Sequence, residues 1–234
     1  MPFPFAHPAA VLPLRRFRSN WLNFPALVIG SIVPDAGYLI PQTSDLSHEV
    51  LGSIAYGLPV GGLVLMAFYA LRMPVVVRMP RALRRSLIPV CQRPLGPVWI
   101  AVVSLIIGIW THILWDSITH NDGWLVQQVP FLLTPVLQFS GRTARVVNVL
   151  WYVSSIVGAG WLFLAFEKWK RDAVTAAGGT VEGRGVVQDA ASLAILVVPI
   201  SLIHHLIRSP IGFVMTGALC IFLGILLIAK MAAM

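Results

Sequence analysis

"WTHILWDSITH" (residues 110–120) has the letters of a membrane helix, yet it carries His112, Asp116 and His120. Positions four residues apart fall on one stripe of an α-helix, so these three side chains share a face. An ionisable group in hydrocarbon costs about 3 kcal/mol or more, and such groups are by default functional. A histidine and an aspartate one turn apart can bind one cation together, through a neutral ring nitrogen and a carboxylate oxygen. The same spacing also serves a proton-relay pair, or a hydrogen bond that steadies a helix bundle.

The chain around this stretch is apolar throughout. Of its 234 residues 57% are hydrophobic and 11% charged, and the mean hydropathy is +0.82. A soluble domain of this size needs far more charge to cover its surface, so the class is integral membrane protein. The net charge of +8 sits mostly in two short segments beside apolar runs, where it sets orientation and meets anionic lipid head groups. Nucleic-acid binding is therefore not implied. Cys91 and Cys220 are the only cysteines, which excludes a disulfide framework and a thiolate metal cluster. The opening "MPFPFAHPAAVLPLRRFRSN" (1–20) is not a secretory signal, since its arginines follow the apolar stretch and prolines interrupt it.

Crossing the hydrocarbon takes roughly 20 apolar residues as helix. About five stretches qualify, near 50–71, 97–118, 146–166, 190–207 and 211–229. Between the first two lies "LRMPVVVRMPRALRRSLIPVCQRP" (71–94), with Arg72, Arg78, Arg81, Arg84, Arg85 and Arg93 and no acid, a cytoplasmic loop by the positive-inside rule. Lys168, Lys170, Arg171 and Arg184 put the loop after the third span on the same side. Its glycines 178, 179, 183 and 185 mark a linker. Lys230 follows suit, leaving Arg142, Arg145 and Arg208 opposite and the C-terminus cytoplasmic. His48 then opens the first span, and His112, Asp116 and His120 close the second, at one outer face. "VQQVPFLLTPVLQF" (126–139) is too short and proline-broken to cross; it lies re-entrant or flat on that face, where it can roof a site.

The N-terminal segment has two readings. Residues 21–40 form a sixth span with Arg15, Arg16 and Arg18 cytoplasmic, which strands His7 on the wrong side. Alternatively Pro8 and Pro25 open two short helices over about 8–17 and 24–34, each roughly 15 Å long, which returns His7 and Asp35 to the same end. "SIVPDAG" (31–37) stops a helix at a proline and presents Asp35; "SDLSHEVLG" (44–52) puts His48 beside Glu49 at a helix start. Taken singly, Asp35 reads as a helix-terminating turn and His48 as an interfacial cap. Together with the stripe at 112–120, they bring three histidines and two aspartates to one rim.

"PFPFAHPAAVLPL" (2–14), "ALVIGSIVPDAGYL" (26–39), "SHEVLG" (47–52) and "HILWDSITHNDGW" (112–124) together resemble a family of bacterial membrane proteins known as domain of unknown function 4184. That family is similar to the wider group of membrane-bound metal-dependent hydrolases, whose ligand order runs His, Asp, His, His-x-x-x-Asp. The resemblance covers roughly residues 1–165 and implies His7, Asp35, His48, His112 and Asp116 as metal ligands, with Thr119 and His120 in the adjoining motif. It favours the N-terminal hairpin, which alone brings His7 to the site. Glu49 departs from the small polar residue usual in relatives and is an extra ligand or a base. The expected organisation is a membrane domain over 1–165, a cytoplasmic linker over 166–189 and a two-helix hairpin over 190–234.

His204 and His205 close the fourth span on the outer side near Arg208, where they join the site, bind a lipid phosphate, or sit at the interface as such side chains usually do. Tryptophans 99, 115, 124, 151 and 161 read as aromatic belts. The chain has no G-x-S-x-G, Walker loop or H-E-x-x-H.

Two functional classes follow. One is a metal-dependent hydrolase at the extracytoplasmic face of a bacterial inner membrane, acting on an ester or phosphodiester of a lipid or lipid-linked substrate. Mixed His/Asp ligation suits Zn or Mn, five ligands suffice for two ions, and His120 or Glu49 serves as general acid/base. The other is a non-catalytic bundle or small transporter with a stabilising or proton-relay His/Asp network. No internal repeat of the kind common in transporters is evident. The fold expected in both cases is all-α, with about five transmembrane helices and a short N-terminal helical hairpin.

Overall fold

The computed structural model describes residues 6–17, 21–39, 47–79, 81–139 and 142–176. The fourth and fifth predicted spans, with His204, His205 and Cys220, lie outside the described residues. The chain divides into two compact units, Met1–Met66 with Leu95–Leu162, and Ala67–Pro94 with Phe163–Met234. All candidate site residues belong to the first.

The described part is mostly helical. Helix α1 (Pro8–Val11) runs on into a 3-10 segment (Leu12–Phe17), and α2 (Phe24–Gly30) is followed by another (Val33–Leu39). A π-helical turn (Ser53–Gly57) leads into α3 (Leu58–Val76). Helix α4 (Arg81–Cys91) precedes α5 (Val98–Thr119) and α6 (Trp124–Gln128). A 3-10 turn (Pro130–Leu133) and two strands, β1 (Pro135–Phe139) and β2 (Arg142–Arg145), lead to α7 (Val146–Ala176). Among the described residues three stretches are long and apolar enough to cross a membrane: Ile54–Val76, Val98–Thr119 and Val146–Ala176. The 22 residues of α5 span about 33 Å at 1.5 Å per residue, enough for a hydrocarbon core of about 30 Å.

The residues of α5 sort by face. Ala101, Ser104, Leu105, Gly108, Ile109, His112, Asp116 and Thr119 are buried along one stripe, while Val102, Val103, Trp110 and Leu114 are exposed. Apart from Leu105 and Ile109, the side chains inside are small or polar and those outside large and apolar, as on a lipid-facing helix, because lipid gives apolar groups no reason to hide. Helix α2 packs on that stripe at backbone contact. A Cβ added to Gly30 would fall 2.4 Å from the Leu105 carbonyl oxygen, and one added to Gly108 would fall 2.3 Å from that of Leu27. Asn23 fixes where α2 begins. Its side-chain oxygen accepts from the Ala26 amide (2.9 Å), its own amide donates to Ser104 Oγ (2.8 Å), and its side-chain nitrogen donates to the Leu95 carbonyl (2.9 Å). Pro25, in the first turn, needs no amide partner. The π turn rests on α5 too, with Gly57 close to Ile109.

Two sequence expectations are corrected. The sheet makes the fold mostly rather than wholly helical. Residues 126–139 break at Pro130 and Pro135, and their second half pairs antiparallel with 142–145 in the register Leu137↔Ala144, Gln138↔Thr143, Phe139↔Arg142. Pro135 stands at the first position of its strand, where a missing amide is tolerated. The basic stretch 71–94, read as a loop, contains helix α4. Its arginines mask an amphipathic pattern in which Ser86 and Cys91 are buried and Arg85 is exposed.

Candidate metal centre

Each site residue is presented by the end of an element. His7 immediately precedes α1, its carbonyl accepting the Ala10 amide at 3.0 Å. The chain there lies against α7, where Gly158 leaves room for Ala6: a Cβ at 158 would come within 3.1 Å of it. Asp35 follows Pro34 at the start of a 3-10 segment. His48 stands in a short helical turn, its Nδ1 2.9 Å from Ser47 Oγ. His112 and Asp116 come from the last turns of α5, and His120 caps it.

The six side chains His7, Asp35, His48, His112, Asp116 and His120, spread over more than a hundred residues of sequence, converge. From Asp35, His112 Nε2 lies 3.6 Å away, His48 Nε2 3.9 Å and His7 Nε2 4.0 Å. From Asp116 the same three nitrogens lie at 3.1, 3.7 and 3.7 Å, and His120 Nδ1 at 3.6 Å. His7, Asp35, His112 and Asp116 are all buried. Ligand atoms of Asp35, His48, His112 and Asp116 all fall within 4.8 Å of one another, close enough to hold a metal ion.

Hydrogen bonding sets the tautomers. His112 Nδ1 is 2.8 Å from the Ser31 carbonyl; a carbonyl only accepts, so Nδ1 carries a proton, and in the neutral ring Nε2 presents its lone pair to the carboxylates. His120 Nδ1 likewise faces the Asp116 carbonyl at 3.1 Å. Burial, reinforced by neighbouring His112, pushes the His7 imidazole down to about 4, and burial also lowers His120. Both are neutral near pH 7, the form a metal requires.

The donors are unspent. Both ring nitrogens of His7, both oxygens of Asp35 and of Asp116, and Nε2 of His112 are buried without a hydrogen bond. His112 Nε2 stands 3.1 Å from the Asp116 carboxylate, where in the neutral ring a lone pair faces an acceptor oxygen with no proton between them. Leaving so many buried polar atoms unpaired is costly, and the cluster could hold a metal ion that takes up imidazole nitrogens and carboxylate oxygens together. Nitrogen and carboxylate donors together fit a borderline divalent ion.

Glu49 is exposed and takes part in none of these approaches. Thr119 is buried, with its hydroxyl donating back to the Trp115 carbonyl at 3.0 Å. Two contributors are not singled out by sequence reasoning. Ser47 stands beside His48, and its hydroxyl is the type of signal that could have been read. Ser31 acts through its backbone carbonyl, for which no residue type is a signal.

No curated protein and no solved structure matches the chain. A family profile does match, and it continues past residue 165 into the C-terminal stretches that the motif resemblance leaves out. On that match, over residues 1–233, the chain belongs to the family described as Domain of unknown function (DUF4184).

Proposed function

We propose that the protein is a membrane-bound, metal-dependent hydrolase that cleaves an ester or phosphodiester at the extracytoplasmic face of a bacterial inner membrane. The observation that carries this reading is the set of buried, unpaired His7, Asp35, His112 and Asp116 atoms gathered within coordination reach. His7, Asp35, His48, His112 and Asp116 are the ligands in this proposal, and Zn or Mn suits their nitrogen–oxygen mixture. A divalent ion so held acidifies water and stabilises charge developing on a carbonyl or phosphoryl oxygen.

The chain supplies the rest. The Ser31 carbonyl fixes the His112 ring. His120, only partly buried at the end of α5, is placed to take or give a proton through its second nitrogen. Glu49, exposed next to His48, is the alternative proton carrier. We read the short helices before residue 40 as a hairpin, the chain as crossing about five times with its C-terminus cytoplasmic, and the substrate as a lipid or lipid-linked molecule, which meets the site by diffusing in the membrane.

The test is elemental analysis of protein purified in mild detergent, followed by phospholipid hydrolysis with chelator and with metal restored. Wild type without metal, or His112→Ala/Asp116→Ala retaining as much metal as wild type, ends the metal reading. Stoichiometric metal with no hydrolysis leaves a binding or relay site and ends the catalytic one.

A further inference from the structure

We propose that the cluster holds two divalent ions: His48 and His112 ligate one, His7 the other, and Asp35 and Asp116 bridge them. The inference rests on the metal-centre reading and deepens it by assigning a second position.

The carboxylate oxygens divide the histidines between them. Asp35 Oδ1 faces His48 and His112, at 3.9 and 3.6 Å, while Oδ2 faces His7 at 4.0 Å. Asp116 repeats the division, with Oδ2 toward His48 (3.7 Å) and His112 (3.1 Å) and Oδ1 toward His7 (3.7 Å). Each aspartate thus turns one oxygen to each group, the disposition of a bridging carboxylate.

Ring geometry disfavours a single shared ion. His7 and His112 are stacked, with ring centroids 3.8 Å apart and planes inclined by 23°. An imidazole binds a metal along its nitrogen lone pair, in the ring plane, at about 2.0–2.1 Å. An ion midway between the two rings would stand up to about 1.9 Å out of each plane, half the centroid spacing and nearly the full bond length. Neither lone pair would point at it, and the inclination closes only part of the gap. Consistently, the residues whose donors lie within 4.8 Å of one another are Asp35, His48, His112 and Asp116, without His7. Yet both His7 nitrogens are buried and unpaired, on a side chain 1% exposed. Paired ions under shared ligands sit about 3.5–4 Å apart, the same as the spacing of the stacked rings.

The experiment titrates the full-length, metal-stripped protein in detergent with Mn²⁺ alone, counts ions per chain, and records the electron paramagnetic resonance spectrum. We expect two Mn²⁺ per wild-type chain with a spin-coupled spectrum. His7→Phe, which keeps a stacked ring and removes the nitrogens, should bind one and show the uncoupled six-line signal. One ion per wild-type chain, or two in His7→Phe, overturns the second position while leaving a metal centre. No ion in wild type overturns both readings. Wild-type stoichiometry and coupling decide the matter if the variant does not fold, and two coupled ions without hydrolysis would count against the hydrolase reading alone.

Discussion

Gly108→Ala probes whether the backbone contact between α2 and α5 sets the site. The new Cβ would lie 2.3 Å from the Leu27 oxygen, 2.9 Å from Gly30 Cα and 2.9 Å from the Ser31 nitrogen. Carbon and oxygen in ordinary contact keep about 3.3 Å, so the helices must part by about 1 Å. The His112–Ser31 bond crosses the same interface at 2.8 Å, and opening it by about 1 Å takes it beyond hydrogen-bond range. Asp35 moves away with α2, whereas His112 and Asp116 stay on α5. Overpacking of this type costs about 1–3 kcal/mol, partly offset by about 1 kcal/mol of helix propensity gained on replacing glycine. Melting temperature alone is therefore a blunt readout, and metal affinity is the sharp one. Losing the bond that orients a ligand costs about 10–100-fold in affinity, or about 1.4–2.7 kcal/mol. Titration with Mn²⁺, followed by calorimetry and by the metal-induced rise in melting temperature, should show that loss. Gly62→Ala is the control: nothing lies within 4 Å of its would-be Cβ, so it carries the propensity gain and no clash. Wild-type affinity in Gly108→Ala would refute the argument that helix spacing governs ligand geometry.

Three further outcomes are expected. His7 titrates near 6.5 in the unfolded chain and at about 4 when folded; between these values the unfolded state binds the extra proton. The metal-stripped protein should therefore lose stability as pH falls from 6.5 to 4, with a shallower decline in His7→Phe, and parallel denaturation profiles for the two would count against it. His120→Asn should keep wild-type metal content and lose about 10²–10⁴-fold in hydrolysis; metal lost along with rate would make His120 a ligand instead. In the second unit Glu167 is 1% exposed, with Lys170 Nζ 2.6 Å from its carboxylate. Lys170→Met should then cost about 3–5 kcal/mol in thermal unfolding, and Glu167→Leu/Lys170→Met should recover most of it; a double variant as unstable as the single would show that the charge pair is not the cause.

The parts of this structure legible in the sequence are those encoded by local pattern. Val98–Thr119 could be read because length, hydropathy and a four-residue polar stripe all describe one helix. Ile54–Val76 and Val146–Ala176 were placed by hydropathy alone, and the third runs ten residues beyond its predicted end because a helix continues past the point where apolarity stops. Asp35 and His48 were visible only as punctuation, a proline-held carboxylate and a helix-start histidine, until several motifs were taken jointly. What stayed hidden is pairwise. Gly30 and Gly108 are ordinary letters in "LVIGS" and "IIGIW", and nothing in one sequence says that they touch. The partner of His112 is a backbone oxygen, which every residue has. Helix α4 was concealed by arginines that drew attention to charge and away from periodicity, and the small sheet by prolines that argue against strands.

Charge balance separates the two functional classes more sharply than composition does. Asp35 and Asp116 are buried beside one another's ligand atoms, and a low-dielectric site does not tolerate two uncompensated carboxylates. In a proton-relay network the compensation comes from imidazolium or from a proton held by the carboxylates themselves. His7 is a poor source, because burial and His112 hold its titration at about 4, and His120 is moved in the same direction by burial. A relay would hold a proton between His112 Nε2 and the Asp116 carboxylate, 3.1 Å apart, while the Nδ1 proton stays on the Ser31 carbonyl. A divalent ion compensates both carboxylates without protonating any ring, and it uses the lone pairs that the tautomers leave free. Because those donors come from four separate elements, the ion would also hold the N-terminal segment in place, and metal binding would appear as folding stability. The relay reading requires the opposite: a melting temperature indifferent to chelator and raised by mild acid.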